Sequence, residues 1–226
     1  MTWGWDRLGP VSGLAAVLGW VLSIFVIEGV GDSPGDNATA ANVLRYFETE
    51  EGSLYVGGVL FFIASALLIW FGGSLRAAIG ERGGSDRIAS IVFGSAVATA
   101  VLSMAFVAPQ VGGAFAANES EAPLLPGAAQ ALWFAGDGFF VATEFAAASL
   151  LVATAVAIFA TRVLPLWLAW LGLVIAVLLV IPPIGWAGLI FGFPLWMLIT
   201  SVLLWRQAEP AAAVTRETTT DTTAIP

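Results

Sequence analysis

Two acids, Asp137 and Glu144, stand inside an otherwise apolar run, WFAGDGFFVATEFAAASLL. At about 100° and 1.5 Å per residue, seven steps along a helix bring them to within roughly 20° of one face, about 10 Å apart. That separation excludes a shared proton. At an effective dielectric of about 20 their repulsion is about 1.6 kcal/mol, small beside the cost of burying a lone carboxyl. Nothing basic lies in the surrounding apolar segments to pair with them. The deeper acid, Glu144, must then be satisfied in one of three ways: a proton plus hydrogen bonds from Thr99, Ser103 or Thr143, a water-filled vestibule, or a bound cation or cationic ligand. Asp137, flanked by Gly136 and Gly138 near a helix end, is also explained as a cap or a solvated surface group.

Three functions accommodate such a pair. The first is a proton, cation or small-molecule binding and transport site in which Glu144 is the carrier and Asp137, Thr143, Phe140 and Trp133 line the route. The second is an intramembrane lipid or isoprenoid enzyme of the cyclase type. There a neutral carboxyl of Glu144 or Asp137 donates a proton inside a pocket lined by Trp133, Phe139, Phe140 and Phe145. The third is a structural or partner-binding subunit in which the acids are packing details. Whether the chain is an enzyme is left open by its residues.

The missing residue types narrow the chemistry. The chain has no Cys and no His, and all eight basic residues are Arg. Zinc, haem and iron–sulfur sites lack their usual ligands, Ser-His-Asp and Cys-His pairs cannot be assembled, and no lysine is present to form a Schiff base. No metal or cofactor is expected. The net charge of −8 argues against nucleic acid as a partner.

The elements that must position the acids are membrane helices. Of 226 residues, 59% are hydrophobic and 11% charged, against about 25% charged in a soluble domain, and mean hydropathy is +0.92. Six apolar runs are each compatible with a span: Val11–Ile27, Leu54–Leu75, Ile88–Ala108, Phe139–Ala160, Leu166–Ile181 and Ala187–Trp205. The fold class is therefore all-α, a polytopic six-transmembrane-helix bundle with short amphipathic outer helices. Residues 1–206 form the membrane domain. Residues 207–226, polar and without a period, are expected to be a disordered cytoplasmic tail.

Under that threading Arg7, Arg76, Arg82, Arg87, Arg162 and Arg206 fall on one side and Arg45 alone on the other. The positive-inside rule then predicts a cell-membrane protein with both termini cytoplasmic. The outer loops are the longer ones. In the first, Ala40, Val43, Leu44 and Phe47 recur at helical spacing, predicting an amphipathic helix over the bundle mouth or on lipid headgroups. A second short helix over 128–135 is expected to bend or unwind at Gly136-Asp137-Gly138. Pro182-Pro183 and Gly185 predict a tight hairpin between the last two spans, and Pro194 a kink in the sixth. Along the fourth span Gly138, Ala142, Ala146, Ser149, Ala153, Ala157 and Ala160 make a small-residue stripe. It permits close helix packing or a homo- or hetero-oligomer contact, with Gly188 and Gly192 as a packing partner.

Several segments carry a family likeness: Glu51-Gly-Ser-Leu-Tyr-Val-Gly-Gly, Trp70-Phe-Gly-Gly-Ser-Leu-Arg76, the run Thr161 to Gly172, and Pro194 to Arg206. Through them the chain resembles an uncharacterised family of six-helix integral membrane proteins typical of actinobacteria. The resemblance implies the topology and a lipid bilayer as surroundings. It implies no activity, ligand or catalytic residue.

Overall fold

The structure is a computed structural model describing residues 5–28, 33–35 and 37–221, with side chains described from residue 9 to residue 207. Among the described residues every regular element is helical. The order is α1 (Trp5–Glu28), α2 (Ala40–Thr49), α3 (Glu51–Glu81), α4 (Asp86–Asn118), α5 (Pro126–Thr161), α6 (Leu166–Leu179) and α7 (Gly185–Ala187). A π-helical turn (Gly188–Gly192) leads from α7 directly into α8 (Phe193–Asp221).

Five helical segments are long and apolar enough to cross a bilayer: 9–28, α3, α4, α5 and 185–207. The chain is a multi-pass, all-α membrane bundle. The expected fifth span differs from the rest. α6 has 14 residues, or about 21 Å, whereas the hydrocarbon core is about 30 Å thick. Pro182-Pro183 follows within a turn and prevents the helix from continuing.

α5 is the central helix. It packs on α2, α3, α4, α6 and α7, and 56% of its apolar window is buried against 39% in each of the other four. It is also unbroken through Gly136-Asp137-Gly138, so the expected separate helix over 128–135 and the bend after it do not occur. The reason is packing. A Cβ at Gly136 would lie 2.9 Å from the Phe106 carbonyl oxygen of α4, so this glycine permits two backbones to approach rather than one to bend.

The small-residue stripe is used in part against α4, where the Ser149 and Ser95 hydroxyls share a 2.9 Å hydrogen bond. Gly188 and Gly192 have their nearest neighbours on α6. They face Leu179 and Ile175 of α6, which closes the α6–α8 hairpin. The π turn lies immediately before Pro194. It accommodates the missing N–H and the ring while the helical assignment runs on from Gly185 into α8.

Above the bundle α2 lies on α4 and α5 and buries Val43, Tyr46 and Phe47. These residues join Leu54, Ala114, Ala129 and Trp133 in an outer hydrophobic cluster separate from the main core. Of the two sites open to an amphipathic helix, α2 takes the bundle rather than the headgroups. The Thr39 hydroxyl caps its start by accepting from the Asn42 amide at 3.3 Å. The Asn118 side chain donates to the Phe47 carbonyl at 3.0 Å and pins α2 to the end of α4.

At the opposite end Gly84 abuts Thr161 and Gln207 donates to the Val163 carbonyl at 3.0 Å, gathering the ends that carry Arg82, Arg87, Arg162 and Arg206. α8 is helical to Asp221. Residues 222–226 lie outside the described residues.

Candidate functional site

Glu144 sits at the middle of this arrangement. It lies about 26 Å along α5 from Thr161, one helical rise per residue. It is 4% exposed, and among the described residues no hydrogen bond or ion pair reaches it.

What closes over the carboxyl is Gly185. A Cβ placed on Gly185 would stand 2.8 Å from Cδ, Oε1 and Oε2 of Glu144 alike. The carboxyl therefore rests on the bare Cα of the residue that begins α7, at the tip of the α6–α7 hairpin. Sequence reading assigned Gly185 to a tight reversal. The backbone there does not require glycine: the left-handed region is occupied by Gly83 and Arg162, not by Gly185. Its small size is needed for the acid. The available signal was an apolar turn, Ile181-Pro-Pro-Ile184, with a glycine and no other small residue beside it.

The short hairpin also explains the contrast between the two acids. Both lie on the same side of α5, as their spacing predicts, but the hairpin tip stops at Glu144. Seven residues further out Asp137 is exposed, and Val141 between them is 50% exposed. One acid is covered and the other is open because one helix of the hairpin is a turn or two too short to cover both.

The other expected residues are distributed differently. The Thr143 hydroxyl donates to the Phe139 carbonyl at 2.8 Å and the Thr99 hydroxyl to the Ser95 carbonyl at 2.8 Å, so both are satisfied within their own helices. Neither serves Glu144. Ser103 is buried without a bond to the acid. Phe140 packs edge-on against Phe106 with ring centres 5.2 Å apart. Trp133 packs edge-on against Tyr46 at 5.7 Å in the outer cluster. Phe139 and Phe145 are turned outward, 39% and 55% exposed. The four rings therefore do not converge on one pocket: two pack on different neighbours and two face outward.

Among the described residues no group of His, Cys, Asp and Glu is arranged to hold a metal ion. Glu144 is a solitary carboxyl whose chemistry is that of one exchangeable proton or one bound cation. Comparison with family models, with curated proteins and with solved structures found no match to this chain, so the site is read from its own geometry.

Proposed function

We propose that the protein binds or passes a proton, a small cation or a small cationic molecule across the membrane, with Glu144 as the carrier. One observation carries this reading: a carboxyl, nine-tenths buried in an apolar bundle, has no fixed partner among the described residues. An ionised carboxylate in such surroundings is costly, so a proton or an incoming cation must supply what the protein does not. Asp137, exposed on the same face and about 10 Å further out, is the outer station of the route. Phe140, Thr143 and Trp133 are supporting residues of α5 in this reading, not ligands.

The Gly185 contact supports a gated site. Its hairpin tip is built from an apolar turn with no side chain between the backbone and the acid, so a small displacement of the tip exposes or covers the carboxyl. The gathering of arginines at the opposite end of the bundle supports an orientation in a cell membrane with both termini inside.

Purified protein in liposomes, loaded to read proton or sodium flux across pH 5–8, tests the reading. Wild type should carry one of these ions with a pH-dependent rate, and Glu144→Gln should lower it at least tenfold. Equal flux in wild type and Glu144→Gln at every pH would end the carrier role.

A further inference from the structure

The way in to Glu144 depends on what closes each side of it. Toward the cap, a row of rings drawn from α5, α4, α3, α1 and α8 crosses the bundle. Phe140, one turn from the acid on α5, packs on Phe106 with centres 5.2 Å apart. Phe106 meets Phe61 at 6.1 Å, Phe61 meets Trp20 at 6.3 Å, and Trp20 meets Phe193 at 6.2 Å. Toward the opposite end lies the main core, closed by wholly buried side chains such as Phe71 and Leu151. Sideways, the cover is one residue with no side chain, Gly185, whose Cα faces the carboxyl.

The surroundings of that cover are apolar. Ile184 and Trp186, the chain neighbours of Gly185, are exposed, and so are Val141 and Phe145 beside the acid on α5. From 138 to 148 and from 180 to 187 no exposed residue carries a charge, a hydroxyl or an amide side chain. Depth places this surface in lipid. From the arginine-bearing end Glu144 lies about 26 Å along α5 and α6 ends after about 21 Å, both short of a hydrocarbon core about 30 Å thick.

We propose that Glu144 is reached from the lipid, past the Gly185 tip, and that the molecule it takes is an amine with an apolar body. The inference rests on the reading of Glu144 as a carrier and names its substrate class. An amine dissolved in the bilayer is neutral. Beside the protonated carboxyl its nitrogen takes the acid's proton, which leaves an ammonium against a carboxylate. The pair forms with no change in net charge and without a free ion crossing hydrocarbon. The ammonium N–H then donates the hydrogen bond that the carboxylate otherwise lacks, while the apolar body covers the exposed rim. A hydrated metal ion would need polar groups along its path, and the sideways path exposes none.

The test is carbodiimide labelling of the full chain in phosphatidylcholine liposomes, read at each acid by peptide mass spectrometry. Dicyclohexylcarbodiimide attacks protonated carboxyls from the lipid, and a water-soluble carbodiimide does so from the aqueous side. The lipid-soluble reagent should modify Glu144 faster by about tenfold or more, whereas exposed Asp137 should favour the water-soluble one. N,N-Dimethyloctylamine, a tertiary amine that cannot itself be coupled to an activated carboxyl, should slow the modification of Glu144 severalfold. Dimethylaminoethanol, the same base without the chain, and methyl octyl ether, a similar chain without the base, should not. Faster modification of Glu144 by the water-soluble reagent, no modification by either, no protection by the octylamine, or equal protection by either control would each overturn the proposal. Any of these with ion flux still lost in Glu144→Gln would remove the lipid route and leave the carrier reading standing. Amine-sensitive labelling with equal flux in wild type and Glu144→Gln would instead end the carrier reading and leave a lateral amine site.

Discussion

Glu144 in the bundle and Tyr46 in the cap are both buried polar groups without a hydrogen-bond partner among the described residues, yet the protein surrounds them differently. Tyr46 has large rigid neighbours, Trp133 edge-on at 5.7 Å and Phe47 at 6.3 Å, and its neutral hydroxyl is an orphan of modest cost. Glu144 has a glycine backbone against its carboxyl and bears a group whose charged form is much harder to leave alone. The cap fixes its orphan by packing. The bundle covers its own with a backbone that carries no side chain, and a cover of that kind can shift without repacking a ring.

The largest effect that could break this contrast is in the cap. Phe47 is wholly buried, and Gly113 of α4 lies directly against its ring. Phe47→Ala should cost about 3–5 kcal/mol if the vacated space does not collapse. Because the outer cluster is separate from the main core, the loss should be local. Hydrogen exchange should accelerate across α2 and the ends of α4 and α5, with the inner halves of α3 and α8 unchanged. Uniform acceleration would mean that cap and bundle are one cooperative unit.

Next in size are two glycines of similar crowding and opposite consequence. At Gly136 an added methyl meets a backbone carbonyl, Phe106 O, at 2.9 Å, and neither helix can give way cheaply. Gly136→Ala should destabilise by about 1–3 kcal/mol, read as a lower midpoint in thermal or denaturant unfolding. At Gly185 the methyl meets the far end of a flexible side chain, so the Glu144 carboxyl can swing aside. Gly185→Ala should therefore cost under about 1 kcal/mol in stability and yet change ion flux severalfold. Adding Glu144→Ala should abolish any penalty that Gly185→Ala incurs, as expected for two groups in contact. Additive penalties would show that the glycine serves the hairpin and not the acid.

How much of this was legible in the sequence follows from what each signal measures. Hydropathy and helical period located the long apolar helices and α2, since Val43 and Phe47 recur at the spacing of one face and both are buried. The seven-residue interval put Asp137 and Glu144 on one side of α5. What the interval could not contain was the height of the neighbouring hairpin, which decides that one acid is covered and the other exposed. The glycines were misread for a related reason. Gly136 and Gly185 look alike in a sequence, as flexible points, whereas their use depends on what packs against them: Phe106 O in one case and a carboxylate in the other. Tyr46 drew no notice because its ring falls on the apolar face of α2, and the hydroxyl becomes an orphan only when α2 is docked.

The smallest effect is at Tyr46 itself. At neutral pH Tyr46→Phe should leave stability within about 1 kcal/mol of wild type, because an unpaired hydroxyl is exchanged for nothing. Alkali separates the two proteins. The phenol is held up at about 12 in the folded chain against an ordinary value of 10.0, so the folded state keeps its proton where the unfolded state loses it. The proton's contribution is complete below pH 10 and declines as pH rises from 10 toward 12. Unfolding of the cap, followed by exchange or by limited proteolysis within α2, should become easier over that window in wild type and should be flatter in Tyr46→Phe. Matching slopes in the two proteins would mean that the hydroxyl is solvated rather than enclosed. The comparison with Glu144 would then narrow to one orphaned group, in the membrane, instead of two.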